Sequence, residues 1–347
     1  MTQAPTTPPK SQVTLRDIAE KVGLSVSAVS MALLDHPRIG AEAKARVRAV
    51  AAELGYVANS AGRALRARKA DAVALIVPNT SQHVFGHYYF MHVLTGVSEV
   101  ANERDVQVVL STNPDESHGM VAYERVMRSG SVDGAIVTSA SVDDDNIERL
   151  VASGLPVVLL GRFPYLPDAV SVGVDDFAAA FAATEHLITA HSRTSLVHVS
   201  GPLNHQSAID RRDGFAAAVK QHEVASRVIE GDYSEQSGTI AGSIIRDLGS
   251  SVDGIVAAND EMAYGAMVQL VSHGRSIPEQ ISIIGFDDFG LSRVTTPSIS
   301  TMHVPAQRMA RLATERLFDV VAGKSFVGEH AHAVLPVEFV ARQSCGG

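Results

Sequence analysis

The chain has 347 residues, of which 46% are hydrophobic and 19% charged, and its net charge is −9. These values are typical of a globular protein with two or three domains. The single cysteine, Cys345, excludes an internal disulfide and a metal cluster built from several cysteines. No apolar run reaches the roughly 18 residues that a membrane helix needs. Residues 1–12 lack the apolar core of a signal peptide and are expected to be disordered, so we expect a cytoplasmic protein without a membrane partner.

The charges divide the chain into two electrically different parts. Residues 1–70 contain 11 Lys and Arg against 5 Asp and Glu, whereas residues 71–347 contain 18 against 33. A basic segment collects phosphate contacts and releases counterions, while an acidic body is repelled by a polyanion. The pattern predicts that only the amino-terminal part contacts nucleic acid.

Residues 13–33 predict two short helices joined by a tight turn. Thr14 stands where a helix N-cap is expected, Asp17 can complete a capping box, and Gly23 can end the helix. Small domains use such a pair of helices to place one of them in the DNA major groove.

The second helix would follow Ser25 as its N-cap and present Val26 and Ser27 outward, toward DNA bases. A third amphipathic helix over residues 41–54 would complete a three-helix core. We therefore expect a helix-turn-helix DNA-binding domain over residues 13–58.

Residues 59–70 form a basic linker in which Leu65 is the only large apolar side chain. The segment has too few apolar residues to fold alone. The residues by themselves leave open whether Leu65 packs on the following domain or has another purpose.

From residue 71 onward, short apolar runs alternate with amphipathic helical segments. The apolar runs predict strands over 72–77, 106–110, 135–137, 156–160, 196–199, 254–257 and 281–286. The amphipathic segments predict helices that include 93–104, 177–190, 211–221, 237–248 and 262–273. This alternation indicates parallel sheets covered by helices on both faces. About ten strands are too many for one sheet here, so we expect two lobes with a ligand between them, at the carboxyl ends of the strands.

Several other patterns favour a structural role over a chemical one. Asp143–Asp145 follow Ser141 and precede a helical segment, where carboxylates meet the positive end of the helix dipole. His83 and His87 are four residues apart, but no third ligand accompanies them, so no metal site is expected. The sequence contains no nucleophile elbow, P-loop or dinucleotide motif, and no cofactor is expected.

The chain resembles the LacI/GalR family of transcription repressors over nearly its whole length. Residues 13–33 are similar to the family's opening, and four body segments follow in family order. These segments are Val132–Ile136, Arg211–Phe215, Ala258–Ala263 and Ile284–Asp288. The resemblance implies an α/β fold class, with an all-α helix-turn-helix head and a two-lobed, periplasmic-binding-protein-like body with parallel sheets. It also implies a homodimer that binds palindromic, double-stranded operator DNA.

The same resemblance divides the chain further. It implies a hinge helix over residues 59–70 and an effector-binding and dimerisation domain over residues 71–347. Lobe 1 would comprise residues 71–168 and 300–328, and lobe 2 residues 169–299 and 329–347. Where the family has a shorter turn, about five extra residues precede Tyr89 and Phe90.

The resemblance assigns DNA contacts to residues of the head and hinge. They are Thr14, Arg16, Ser25, Val26, Ser27, Ser30, Met31, Asn59, Arg63, Leu65 and Arg66. Val26, Ser27 and Met31 would reach base edges, while the serines at 25 and 30 and Arg16 would bind phosphates. Leu65 matches the family leucine that enters the minor groove, which favours a wedge that bends the operator.

The resemblance likewise assigns effector contacts in the body. They are Tyr89, Phe90, Arg162, Arg211, Tyr233, Asn259 and Asp287. In the family, the residue matching Arg211 forks onto ligand oxygens and the one matching Asp287 accepts hydrogen bonds from hydroxyls. Alternatives stay open, because Arg211 and Asp287 could form ion pairs at the surface or between the lobes. Asn259 could merely cap the next helix, Tyr233 could belong to the core, and Arg162 could face solvent.

We therefore expect a transcriptional regulator whose operator affinity is changed by a small sugar or nucleoside-like effector, and the resemblance favours a repressor. Whether the effector is an inducer or a corepressor stays open. A solute receptor would need an export signal and no DNA-binding head, and an enzyme would need paired catalytic carboxylates in one cleft. Neither feature is visible, so no enzyme is expected. A regulator tuned mainly by a protein partner is not excluded.

Overall fold

The computed structural model describes residues 13–56, 70–115 and 120–346. The chain divides into two compact units, residues 1–68 and residues 69–347. The expected tail over residues 1–12 lies outside the described residues, as does nearly all of the expected hinge.

The amino-terminal unit contains three helices, α1 (Leu15–Val22), α2 (Val26–Leu33) and α3 (Ala41–Leu54). The expected capping box forms at α1, because Asp17 Oδ2 accepts hydrogen bonds from the Thr14 amide at 2.7 Å and the Thr14 hydroxyl at 2.8 Å. Ser25 Oγ accepts from the Ala28 amide at 3.2 Å and so caps α2. All three helices contribute to one apolar core of Ile18, Ala19, Val29, Ala32, Val47 and Ala51. The helix-turn-helix prediction is confirmed.

The second unit is built on two six-stranded sheets. The first sheet has the order β11-β5-β4-β3-β1-β2 and is parallel throughout. Its strands are β1 (Ala72–Thr80), β2 (Gln107–Asn113), β3 (Gly134–Thr138), β4 (Val157–Leu160), β5 (Ser171–Val174) and β11 (His332–Leu335). Central strands β1 and β3 are continuous apolar runs, as expected for strands that helices cover on both faces.

The second sheet has the order β12-β10-β9-β8-β6-β7. Its strands are β6 (Ser195–Ser200), β7 (Ala225–Glu230), β8 (Gly254–Ala257), β9 (Ser282–Asp287), β10 (Ser300–His303) and β12 (Glu338–Val340). Only β12 is antiparallel, pairing Met302 of β10 with Phe339. Each sheet and its helices form one lobe of the predicted two-lobed body.

Helices cover both sheets. The first lobe carries α4 (Ser81–Gly86), α5 (Tyr88–Glu103), α6 (Val121–Ser129), α7 (Asn146–Ala152) and α13 (Ala306–Val321). The second lobe carries α8 (Asp176–Thr189), α9 (Gln206–Gln221), α10 (Glu235–Asp247), α11 (Asp260–Ser272) and α12 (Leu291–Val294). Within the described residues, no helix is long and apolar enough to cross a membrane.

The chain passes between the lobes three times, and the expected boundaries need correction. The first crossing lies between β5 and α8, after Val174, and not after residue 168. The second follows His303 of β10, because β10 pairs with β9 in the second sheet. The third follows Leu335, because β11 pairs with β5 and stays in the first lobe. These strands have only four residues each, too short a pattern to indicate which sheet they join.

Candidate functional site

A cavity of about 140 Å³ lies between the two lobes. It is lined by residues that follow the carboxyl ends of β3, β4, β7, β8 and β9, where parallel sheets place their ligands. All seven residues predicted to contact an effector line it: Tyr89, Phe90, Arg162, Arg211, Tyr233, Asn259 and Asp287. The sequence therefore identified residues that the fold brings together.

Arg211 is a buried cation whose position is fixed from three sides. Its Nε donates to Asp176 Oδ1 at 2.7 Å, and its Nη1 donates to the Ala258 carbonyl. The guanidinium also lies over the Phe286 ring, 4.4 Å from the ring centre. Arg211 is thus an ion-paired residue and a cavity residue at once. Its partner Asp176, the first residue of α8, was not predicted from the sequence.

Asp287 ends β9 and brings a carboxyl group to the same cavity. Burial raises the pKa of Asp287 to about 7, although the nearby Arg211 guanidinium acts to lower it. Its backbone lies in the positive-φ region, at 106°. Among the described residues, none donates a hydrogen bond to the Asp287 carboxylate. This carboxylate is therefore an acceptor available to a ligand.

Asn259 and Tyr233 are held by each other. Asn259 Oδ1 accepts from the Met262 amide at 2.9 Å and caps α11, while its Nδ2 donates to the Tyr233 carbonyl at 2.7 Å. The cap foreseen as the alternative role for Asn259 is thus present. The Tyr233 hydroxyl lies 3.2 Å from Ser207 Oγ, and a Cβ at Gly201 would overlap its ring. Both residues combine a structural contact with a place in the cavity wall.

Tyr89 and Phe90 lie in the first turn of α5. Their rings meet edge to face at 5.4 Å, and the Tyr89 hydroxyl lies 3.4 Å from Thr138 Oγ1. Arg162 follows β4 and reaches across the cleft, where its Nη1 lies 3.2 Å from Asp210 Oδ2 on α9. Just over half of the Arg162 side chain is exposed, so it lies at the cavity edge and bridges the lobes.

A second bridge between the lobes involves the segment with the extra residues. His87, just before α5, places Nδ1 2.7 Å from Glu261 Oε2 at the start of α11. The Tyr88 amide donates to the other oxygen of Glu261 at 3.3 Å. Burial lowers the pKa of His83 to about 4, with further lowering by His87 and His205. Glu261 and His205 also line the cavity, and neither was predicted as a site residue.

In the helical head, seven of the predicted DNA contacts lie on α1, on α2 or at their N-caps, and none of these seven is fully buried. Thr14, Arg16, Ser25, Val26 and Ser27 are exposed, while Ser30 and Met31 are half-buried. Val26 keeps 41% of its surface accessible, so its side chain is available for contact with a partner. The remaining predicted contacts lie outside the described residues: Asn59, Arg63, Leu65 and Arg66.

Comparison with known proteins also separates the helical head from the two-lobed body. A family model described as bacterial regulatory proteins, lacI family, matches residues 14–59. A second model, described as periplasmic binding proteins and sugar binding domain of LacI family, matches residues 70–343.

Individual relatives extend over nearly the whole chain. The chain is 29% identical over 342 residues to the HTH-type transcriptional regulator CelR of Thermobifida fusca, covering 95% of this chain and 98% of the relative. A solved CelR–cellobiose complex superimposes with a TM-score of 0.73 and 26% identity, over 96% of this chain and 100% of that one.

The lac repressor dimer bound to operator and the anti-inducer ONPF shares the fold, with a TM-score of 0.86 and 23% identity, over 96% of this chain and 99% of that one. Since the two family models together match most of the chain, this protein belongs to the LacI family and is a DNA-binding transcription regulator.

Proposed function

We propose that the protein is a cytoplasmic repressor that binds a palindromic operator as a homodimer and releases it when a small sugar binds between the lobes. The observation that carries the effector part is the Asp287 carboxylate, which lines the cavity beside Arg211 without a hydrogen-bond donor among the described residues. A sugar hydroxyl is a donor that such a carboxylate can accept.

Recognition would combine the acceptor Asp287 with the donor Arg211. A fixed guanidinium suits ligand oxygens, because its N–H groups point in a rigid fork and little side-chain entropy is lost on binding. The Tyr233 ring offers an apolar face for a sugar ring. Asn259 is a positioning residue in this scheme, since its amide already bonds Met262 and Tyr233. Tyr89 and Phe90 supply the opposite wall.

The switch would act through the three crossings between the lobes. A ligand that contacts both lobes changes their relative orientation, because it binds one arrangement better than the other. Arg162–Asp210 and His87–Glu261 are the contacts across the cleft that such a change would strengthen or break. The similarity to a regulator solved with cellobiose favours a sugar over a nucleoside as the effector.

DNA recognition would use apolar contacts more than bidentate hydrogen bonds. Val26 and Met31 suit thymine methyl groups, and Ser27 can bond a base edge. The remaining contacts would position the head on the backbone or bend the site: Thr14, Arg16, Ser25, Ser30, Asn59, Arg63, Leu65 and Arg66. We infer that the protein binds its effector without converting it, as befits a regulator.

The test starts with an operator selected from a random duplex pool by the full-length protein. Fluorescence anisotropy then measures its affinity with and without a panel of mono- and disaccharides and nucleosides. We expect at least one sugar to weaken operator binding and to be recovered unchanged afterwards. Asp287→Asn should keep operator affinity and lose the response, and the exposed Glu279→Gln should keep both.

Selection of no preferred duplex would overturn the regulator proposal. If only nucleosides changed operator affinity, the effector would be a nucleoside and not a sugar. If the effector tightened operator binding, it would be a corepressor and not an inducer. Conversion of the sugar by the wild type would show an enzyme instead.

A further inference from the structure

Three side chains with metal-ligating atoms meet in the second lobe. His186 lies near the end of α8, His191 follows that helix, and Cys345 belongs to the short turn Gln343–Cys345. The two Nε2 atoms are 3.1 Å apart, and Cys345 Sγ lies 3.9 Å from His186 Nε2. All three ligand atoms lie within 4.8 Å of one another.

From this arrangement we propose that His186, His191 and Cys345 bind a divalent cation of the zinc type. Tetrahedral zinc has bonds of about 2.0–2.1 Å to imidazole nitrogen and about 2.3 Å to thiolate sulfur. Such bonds separate two nitrogens by about 3.3 Å, and nitrogen from sulfur by about 3.6 Å. Two observed separations, between the two nitrogens and between Cys345 Sγ and His186 Nε2, are within a few tenths of an ångström of these values. The third, between the ligand atoms of Cys345 and His191, is at most 4.8 Å, so a side-chain movement of about 1 Å closes the set.

The chemistry of the ligands points to the same class of ion. One thiolate with two imidazoles is a set that favours zinc-type ions over calcium or magnesium, which prefer oxygen. His186 and His191 are separated by four residues, which is within the spacing of paired histidines in structural zinc sites. Both rings are half-buried, which leaves room for water as a fourth ligand.

Neighbouring side chains would hold two of the three ligands in place. The Ser300 hydroxyl donates to Cys345 Sγ at 3.1 Å, the kind of outer hydrogen bond that orients metal ligands. The Phe339 ring packs against His186 at 4.4 Å.

Sequence alone gave no indication of this site, because Cys345 and His186 are 159 residues apart. Its consequence would be structural. The ion would fasten the carboxyl-terminal turn to α8. Arg342, directly before that turn, donates from Nη2 to Asp288 Oδ1 at 2.5 Å. Asp288 directly follows the cavity residue Asp287, so metal occupancy would also stabilise the backbone that presents that carboxylate.

The experiment uses the full-length protein, stripped with a chelator, kept reduced and titrated with Co²⁺ as a spectroscopic probe. We expect one equivalent to produce the visible bands of tetrahedral cobalt and a near-ultraviolet sulfur-to-cobalt band, both removed by added Zn²⁺. Since Cys345 is the only cysteine, the sulfur band reports this residue alone. Zn²⁺ should raise the Tm of the wild type by several degrees.

Variants then locate the ion. Cys345→Ser should lose the sulfur band. Loss of a residue that only hydrogen-bonds to a metal ligand weakens metal binding by about 10–100-fold, so loss of a ligand itself in His186→Gln or His191→Gln should weaken Zn²⁺ binding by more than this. The exposed His330→Gln and the double variant of His83 and His87 to Gln should bind as the wild type does.

Wild-type protein without a sulfur band would overturn the proposal, and this result depends on no variant. Loss of the cobalt spectrum in the double variant alone would also overturn it, by placing the ion at the cleft. Far-ultraviolet circular dichroism checks that each variant is folded, and operator binding adds a second check for the variants of His186, His191, Cys345 and His330.

Discussion

Arg211 and Asp176 form a buried ion pair at 2.7 Å, and Asp176 begins the helix that the chain enters directly after its first crossing between the lobes. The pair therefore joins the second turn of α9 to the start of α8 beside the cavity. Burial raises the pKa of Asp176, and Arg211 acts in the opposite direction. The carboxylate holds the guanidinium in place. In return, Arg211 compensates for the burial of the Asp176 charge, and among the described residues no other cation forms an ion pair with Asp176.

The first prediction concerns this ion pair. Asp176→Ala leaves the Arg211 charge buried without its partner, so we expect a loss of about 3–5 kcal/mol in the free energy of unfolding. Urea unfolding followed by circular dichroism measures it. The control is Glu99→Gln, which removes the charge of one partner in the more solvent-accessible pair with Arg311 and should change stability less. If the two variants lowered the free energy of unfolding equally, the buried pair would contribute no more to stability than the accessible one.

The second prediction concerns pH and the effector. Because the pKa of Asp287 is raised to about 7, its carboxylate becomes protonated just below neutral pH and loses part of its capacity as an acceptor. Sugar affinity should therefore be highest above pH 8 and fall by up to about tenfold for each pH unit below 7. Calorimetric titration of the sugar that acts on operator binding, at several pH values, measures this dependence.

The same titration with Asp287→Asn separates Asp287 from other groups. The amide does not titrate, so this variant should bind more weakly at high pH and show a flat profile. A profile in the variant parallel to that of the wild type would assign the pH dependence to a different group, such as His205, which also lines the cavity.

The third prediction concerns the bridge made by Glu261. Glu261→Ala removes both contacts to the opposite lobe, the one with His87 at 2.7 Å and the one with the Tyr88 amide at 3.3 Å. Hydrogen bonds to charged groups contribute about 1.5–3 kcal/mol, so effector affinity should fall about tenfold or more if they hold the closed lobes. Stopped-flow release rates and calorimetry measure the change, with the exposed Glu279→Ala as control. Tighter effector binding in Glu261→Ala would mean that the bridge opposes closure.

Sequence reasoning succeeded where the signal is local. The caps at Thr14 and Ser25 and the helix over residues 41–54 were predicted as they are found, because capping depends on neighbours three residues away. The central strands β1 and β8 were predicted from continuous apolar runs. The edge strand β7 was not predicted, because Ser226, Arg227 and Glu230 interrupt its apolar residues and leave no such run.

The candidate site divides in the same way. Its residues could be named because the resemblance supplied positions, and the fold brings all of them to one cavity. Their partners could not be named, since Asp176 is 35 residues from Arg211 and Glu261 is 174 from His87. Such pairings depend on which strands become neighbours in the sheets, and a single sequence does not encode this in any short pattern.

The fourth prediction concerns Leu65, which lies outside the described residues. If Leu65 is a wedge, Leu65→Ala should weaken binding to the selected operator far more than binding to random duplex, because only the bent specific complex uses the wedge. Anisotropy titrations with both duplexes at one salt concentration measure the two losses. A similar loss for both duplexes would contradict the wedge.

The fifth prediction separates base contacts from phosphate contacts on the exposed side of the head. Val26→Ala should weaken operator binding by no more than about 1–3 kcal/mol, the usual cost of one mismatched base pair, and leave random duplex unaffected. Arg16→Ala should weaken both duplexes alike and reduce the slope of log affinity against log salt by about 1, because one phosphate contact is lost. Anisotropy over a salt series measures both quantities. If Val26→Ala changed the salt slope, or Arg16→Ala changed the operator preference, the two residues would have the opposite roles, and α1 would then be the helix that reads the bases.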